Sequence, residues 1–213
     1  HLDMSPFDTR TLVDLHYYEP FKFTHQAATW TLPELRYMAG VSFPARSTDK
    51  GRATDASARL FLGRKGEGGA QGLAPTLKLL DAYVRENADE ATVARDIAAI
   101  GRWADRQKVD RRRIILGEFG ALRLPPEAGV PDDGSRARWL GAVRRAAETE
   151  RLGCRIAGDR DAEHGGSGGT PQQAAARDRH GDVISGNGWT APATRERDGL
   201  IPSFKIATKL WLP

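Results

Sequence analysis

One carboxylate stands out at the end of an apolar run in the middle of the chain. The run at 114–116 reads Ile, Ile, Leu, and Glu118 follows it between Gly117 and Gly120. Apolar residues that run without alternation predict a short buried strand. A charge at the end of such a strand is costly inside a core, so Glu118 is expected to face a cleft, a partner or water. Because parallel α/β folds place their chemistry at the carboxyl ends of strands, Glu118 is the first candidate for an active-site residue.

A second group of polar and aromatic residues follows another predicted strand. The segment 11–18 has the composition of a strand and ends in His16, Tyr17 and Tyr18. Since side chains alternate across a strand, Tyr17 is expected to point away from the face that His16 and Tyr18 share. More residues of the same kinds follow closely: Phe21, Phe23, His25, Gln26 and Trp30. A carboxylate, an imidazole, phenols and an indole together suit a carbohydrate cleft, where sugar faces stack on rings and hydroxyls need polar partners.

The elements that would position these residues alternate between strands and helices. Apolar residues at helical spacing predict three helices, over 73–85, 91–108 and 136–151. Ser135 is predicted as the N-cap of the last helix and Gly153 as the residue just past its end. The segment 21–72 is predicted to be a long loop because it is rich in Pro, Gly, Ser, Thr and Arg. This order of elements predicts a parallel α/β architecture over residues 11–153.

The last part of the chain differs in composition from the rest. Residues 154–213 are rich in Gly and polar residues and have little periodicity. We therefore predict one domain over 1–153 and a divergent, partly disordered tail over 154–213. His164 and His180 lie in this tail without the spacing of metal ligands, so no metal site is expected. Cys154 is the only cysteine, which excludes an intramolecular disulfide.

Length, composition and charge argue against a membrane-spanning protein and against a nucleic-acid binder. The chain has 213 residues, 39% hydrophobic and 28% charged, and no apolar run long enough to cross a membrane. The formal net charge of +4 is mild, and the run of three arginines at 111–113 is expected to be a solvated turn. No patch or motif of a nucleic-acid binder is evident, so no such partner is predicted. No signal peptide is visible at the start of this sequence.

Three segments resemble a known family when they are taken in order. Residues 15–30, LHYYEPFKFTHQAATW, resemble the sixth-strand segment of cellulases in glycoside hydrolase family 5. Residues 112–123, RRIILGEFGALR, are similar to the seventh-strand segment that carries the nucleophile, and 135–153 to the following helix. The resemblance implies part of a (β/α)8 TIM barrel, about strands 6 to 8 with their helices, and retaining hydrolysis of β-1,4-glucan. It also implies no cofactor, no metal and no obligate protein partner, and a secreted or periplasmic location.

The same resemblance assigns roles to single residues. Glu118 matches the nucleophile, Tyr18 is expected to hydrogen-bond it, and His16 is expected to line the sugar site. The remaining substrate-binding candidates come from the matching aromatic loop: Phe23, His25 and Trp30.

The sequence also departs from the family in ways that bear on activity. The acid/base glutamate of the family lies in an Asn-Glu-Pro-type motif, and no Asn-Glu pair occurs in this chain. An aromatic motif expected after Gly153 is replaced by CRIAGDRDAEHGG. We therefore predict a truncated endoglucanase-type chain with half of an active site and little or no activity. The alternatives are a β-mannanase or other family 5 polysaccharide hydrolase, and a non-catalytic carbohydrate-binding remnant.

Overall fold

A small, mostly parallel sheet organises the chain. The computed structural model describes residues 4–64 and 72–154, together with the backbone of 205–207. Its strands are β1 (Val13–Tyr17), β2 (Ile114–Phe119), β3 (Gly153–Cys154) and β4 (Lys205–Ala207). The order across the sheet is β3-β2-β1-β4, with β1, β2 and β3 parallel and β4 antiparallel to β1.

Helices connect the parallel strands. They are α1 (Phe21–Thr24), α2 (Lys50–Gly63), α3 (Ala74–Glu86), α4 (Glu90–Arg106) and α5 (Ser135–Thr149). Single 3₁₀ turns occur at Pro33–Tyr37, Ala45–Ser47, Arg111–Arg113 and Pro126–Ala128. The predicted α/β class is therefore confirmed, and the three predicted helices are present. A partial TIM barrel stays an interpretation, and the antiparallel strand beside β1 was not part of that prediction.

One face of the sheet packs against the helices to form the core. The buried strand residues on this face are Val13, Leu15, Tyr17, Ile114, Leu116 and Phe119. The helices contribute Leu80, Tyr83, Val93, Ile97, Ile100, Trp139 and Val143. Tyr17 is 1% exposed, its ring stacks on Trp139, and its hydroxyl donates to Asp96 Oδ2 at 3.1 Å. The prediction that Tyr17 points away from the site is thus confirmed.

The predicted loop over 21–72 is wrong, because this segment contains two helices and two 3₁₀ turns. The longest of them is α2, and Asp49 is its N-cap. The Asp49 side chain accepts a hydrogen bond from the Arg52 amide. The buried face of α2 consists of small residues and one leucine: Ala53, Ala56, Ser57 and Leu60. Small side chains at helical spacing carry a weak hydrophobic signal, and for this reason composition alone pointed to a loop.

Two predicted boundaries of α5 also differ from the structure. The N-cap is Gly134, which has a φ of +76°, and Ser135 is the first helical residue. The Ser135 hydroxyl instead accepts a hydrogen bond from the Phe43 amide at 2.9 Å. At the other end, Arg151 takes the left-handed conformation predicted for Gly153. Gly153 begins β3, where a Cβ would lie 3.2 Å from the Ile114 carbonyl oxygen.

Most of the predicted tail over 154–213 lies outside the described residues, and β4 is the exception. Within the described part of the chain, no helix is long and apolar enough to cross a membrane.

Candidate active site

A bulge in β2 sets the position of Glu118. Leu15 pairs with Leu116, but the next residue of β1, His16, pairs with Glu118, so Gly117 is an extra residue in β2. If regular pairing continued from Leu116, His16 would pair with Gly117, and Glu118 would pair with Tyr17 on the buried, helix-packed face, where a carboxylate is costly. The bulge instead turns Glu118 to the face that bears His16, next to the carboxyl ends of both strands.

Glycine is required at the bulge for a steric reason. A Cβ at Gly117 would overlap the carboxylate of Asp14, which lies two residues before His16 in β1. Asp14 Oδ1 is buried and has no hydrogen-bond partner within the described residues. The close approach of Asp14 to Gly117 therefore leaves no room for a side chain at position 117.

The imidazole of His16 contacts the Glu118 carboxylate directly. His16 Nδ1 lies 2.8 Å from Glu118 Oε2, the distance at which a protonated ring nitrogen donates to a carboxylate. The Glu118 side chain is 53% exposed and the His16 side chain 25% exposed. The carboxylate is thus accessible from solvent while one of its oxygens is held by the neighbouring strand.

Tyr18 supplies a second contact to the same carboxylate. Burial raises the pKa of Tyr18 above its ordinary value, and hydrogen bonding to Glu118 raises it further. A phenol is protonated at neutral pH, so the Tyr18 hydroxyl is the donor in this hydrogen bond and the Glu118 carboxylate is the acceptor. The structure brings together the three residues predicted as catalytic, His16, Tyr18 and Glu118.

The predicted sugar-binding residue His25 belongs to an aromatic cluster behind Tyr18. Its ring stacks on Phe21 with centroids 3.8 Å apart and meets the Tyr18 ring edge-on at 5.0 Å. Thr24 Oγ1 lies 3.0 Å from His25 Nδ1 and donates to the Tyr18 carbonyl at 2.6 Å. His25 is thus placed to support Tyr18, while a direct role in sugar binding stays a prediction.

The two other predicted sugar-binding residues have opposite environments. Phe23 is 1% exposed and packs against Phe43 in the core. Its side chain therefore cannot contact a sugar at the surface, contrary to the prediction. Trp30 is 56% exposed. No hydrogen bond or ring contact among the described residues connects Trp30 with His16, Tyr18 or Glu118. The structure therefore does not bring Phe23 and Trp30 into the cluster around Glu118.

Comparisons with known proteins add little to this geometry. No family model matches the chain, and no curated protein matches it. A solved structure described as an endoglucanase is similar, at 23% identity and a TM-score of 0.35, over 71% of this chain. The chain spans only 35% of that structure. Similarity at this level does not establish a family, so the functional interpretation depends on the site itself.

Two features of the site were not predicted from the sequence. Thr24 links Tyr18 to His25, although nothing in the sequence FKFTHQ marks this threonine as special. A cavity of about 270 Å³ beside α1 and the loop after β2 is lined by residues from distant segments. Its lining does not include Glu118, His16 or Tyr18.

Among the described residues, no group of three or more His, Cys, Asp or Glu side chains could hold a metal ion.

The electrostatics of the cluster favour one type of chemistry. An accessible carboxylate that receives hydrogen bonds from an imidazole and from a phenol is held in a fixed orientation. An oriented carboxylate can act as a nucleophile or as a base toward a bound substrate.

Proposed function

We propose that this chain carries the nucleophile half of a retaining glycoside hydrolase site that acts on β-1,4-linked glucan. The observation that carries the proposal is the contact of His16 Nδ1 with Glu118 Oε2 at 2.8 Å, with Tyr18 bonded to the same carboxylate. His16 belongs to β1 and Tyr18 follows directly after it, and both converge on a residue of the neighbouring parallel strand. This arrangement agrees with the roles that the family resemblance implies for these positions.

The proposed reaction has two steps. In the first, a Glu118 oxygen attacks the anomeric carbon, the glycosidic carbon–oxygen bond breaks, and the leaving oxygen takes a proton from a general acid. In the second, water attacks the anomeric carbon and gives a proton to the same group, now a base, which releases Glu118. The two carboxyl groups of retaining enzymes lie about 5–5.5 Å apart.

The acid/base group of this proposal is expected outside the present chain. The family's Asn-Glu-Pro-type motif does not occur in the sequence, because neither of its two asparagines is followed by glutamate. Among the described residues, Glu118 makes its contacts to His16 and Tyr18. The proposal therefore gives the chain the capacity for nucleophilic attack, and assigns full turnover on polysaccharide to a longer protein.

A cellobioside with a 2,4-dinitrophenolate leaving group and fluorine at C2 tests the nucleophile directly. Its leaving group needs little protonation, and the fluorine slows release of the glycosyl-enzyme, so no acid/base residue is required for trapping. We expect 2,4-dinitrophenolate to leave and the peptide that contains Glu118 to gain the mass of one 2-deoxy-2-fluorocellobiosyl group. The Glu118→Gln variant is the matched control and should gain none. Labelling at another residue would refute the assignment.

A non-catalytic carbohydrate-binding function is the second candidate, and the exposure of Trp30 favours it. The turn that carries Trp30 is braced, because the Ala27 amide donates to the Leu35 carbonyl at 2.9 Å and Arg64 donates to the Ala27 carbonyl. A fixed, exposed indole suits stacking on a sugar ring. Binding of cello-oligosaccharide that is lost in Trp30→Ala but kept in Glu118→Gln, without any labelling of Glu118, would support this candidate instead.

The same site could serve mannan instead of glucan. The resemblance leaves this alternative open, since the contacts at Glu118 do not distinguish the two sugars. Trapping rates with the matching 2-fluoro mannobioside, measured on the same chain, would decide between them.

A further inference from the structure

A preformed cavity lies beside α1 and the loop after β2, and its lining contains none of His16, Tyr18 and Glu118. Its volume is about 270 Å³, just below the roughly 300–1,000 Å³ of pockets for drug-sized ligands. The buried residues Phe23, Gln26 and Val41 line its inner wall, while Arg123 and Asp132 are exposed at its mouth. A hydrogen bond from the Leu122 amide to the Thr24 carbonyl connects its wall to the segment that supports Tyr18.

The walls of the cavity are held by hydrogen bonds within the protein. The Gln26 side chain pairs with both backbone groups of Val41, at 3.1 Å each. Asp133 accepts from the Ser42 hydroxyl at 2.6 Å and from the Ser135 amide at 2.8 Å. Because these bonds form without any ligand, the shape of the cavity is fixed in advance, which lowers the cost of binding.

Polar groups at the mouth remain available to a ligand. Arg123 has no hydrogen bond or ion pair within the described residues. Asp132 uses one oxygen to accept from the Gly134 amide at 2.9 Å, and its other oxygen has no assigned partner. Arg136 donates through Nε to the Ala121 carbonyl at 2.8 Å, which leaves its terminal N–H groups. The mouth therefore offers both donors and acceptors.

The balance of charges indicates the class of ligand. Two arginines and two aspartates line the cavity, and Asp133 also pairs with Arg138 at 3.8 Å. An anion would therefore meet Asp132, and a cation would meet Arg123 and Arg136. A neutral ligand with several hydroxyl groups suits such a lining, because each hydroxyl both donates and accepts. Leu122, Leu124, Val130 and Pro131 add apolar surface for the carbon–hydrogen face of such a ligand.

We propose that this cavity binds one sugar residue of a neutral glycan, at a position separate from Glu118. The proposal shares the ligand class of the proposed function but does not depend on hydrolysis. Binding in the cavity and attack by Glu118 can therefore fail independently of each other.

Titration of the ¹⁵N-labelled full chain with cellobiose tests the proposal by nuclear magnetic resonance. We expect saturable shifts at the Gln26 side-chain amide and at the Leu122 and Gly134 amides. Arg123→Ala and Asp132→Asn should each raise the dissociation constant for cellobiose roughly tenfold, as expected for a lost hydrogen bond to a charged group. Arg102→Ala removes an exposed arginine from α4 and serves as the control that leaves binding unchanged.

The outcomes separate this proposal from the one at Glu118. Glu118→Gln should retain the shifts around Gln26 even though it cannot be trapped by the fluorinated cellobioside. Shifts confined to His16 and its neighbours, or equal affinity in Arg123→Ala, Asp132→Asn and wild type, would overturn the proposal. Inorganic phosphate is the anionic probe, and stronger binding of phosphate than of cellobiose at the same amides would also overturn it.

Discussion

Glu118 lies opposite His16 because Gly117 stays unpaired in a bulge of β2 directly after the Leu15–Leu116 pair. Regular pairing would place Glu118 on the buried face, and the bulge places it on the accessible face of the sheet. The same glycine lies against the Asp14 carboxylate. The position of the candidate nucleophile thus depends on a residue that has no side chain.

Replacement of Gly117 by alanine should destabilise the chain and displace Glu118. The new Cβ would overlap Asp14, and a steric conflict in a packed strand costs about 1–3 kcal/mol. Urea unfolding measures this loss, and the trapping rate with the fluorinated cellobioside measures the displacement. Gly120→Ala is the matched control, because a Cβ at Gly120 would meet no atom within 4 Å. Equal stability of the two variants would contradict the steric role of Asp14.

The Tyr18→Phe substitution should slow trapping at Glu118 without unfolding the chain. It removes the hydroxyl that hydrogen-bonds the carboxylate, and bonds to charged groups contribute roughly 1.5–3 kcal/mol. We therefore expect the labelling rate to fall about tenfold or more. Tyr37→Phe is the control, since Tyr37 packs against Phe61 and its hydroxyl has no hydrogen bond to any residue that the structure describes. An unchanged rate in Tyr18→Phe would show that the phenol does not assist Glu118.

Asp96→Asn should raise stability at neutral pH and have little effect in acid. Burial raises the pKa of Asp96, although the hydrogen bond from Tyr17 opposes the shift. A carboxyl group whose folded pKa is raised favours the folded state at low pH and loses that contribution as pH rises through the folded pKa. The neutral amide avoids this loss and can still accept from Tyr17. Thermal melts at pH 3 and pH 7 measure the difference, which should be larger at pH 7.

Asp89→Asn should show the opposite dependence on pH. Hydrogen bonds from the Thr92 amide and hydroxyl lower the pKa of Asp89 against the effect of burial. Its contribution to stability is therefore present above the unfolded pKa and lost as pH falls through the folded pKa. Asparagine retains the cap of α4 but not the charge, so the variant should be less stable than wild type at pH 7 and equal to it in acid. Parallel pH profiles for Asp89→Asn and Asp96→Asn would contradict both assignments.

Gly101→Ala should fail to give the stabilisation usual for this change in a helix. Alanine is favoured over glycine by about 1 kcal/mol in helix interiors. A Cβ at Gly101 would overlap the Glu150 carboxylate, which Arg111 binds at 2.5 Å. Gly141→Ala in α5 is the comparison, because its Cβ would meet only the flexible end of Arg145. Chemical unfolding should rank Gly141→Ala above wild type and Gly101→Ala at or below it.

Strong local signals explain which elements were predictable. The helix α4 combines a capping box at Asp89 and Thr92 with Val93, Ile97, Ile100 and Ala104 on one face, and its prediction was confirmed. The helix α2 buries mainly alanines and a serine, so its pattern was too weak to recognise. For the site, residue types and motif order predicted the cluster of His16, Tyr18 and Glu118, but not the supporting role of Thr24.

The sequence by itself determined the α/β class, the two strand ends that bear the candidate site residues, and Glu118 as the candidate nucleophile. These follow from local hydrophobic patterns and from residue types at strand ends. Only the tertiary structure decided that Phe23 is buried, that His25 stacks behind Tyr18, and that Gly117 turns Glu118 toward His16. The reason is physical, because burial and strand register depend on contacts between residues far apart in the chain. Side chains alternate between the two faces of a strand, so a shift of one residue in the pairing moves the following side chains to the opposite face.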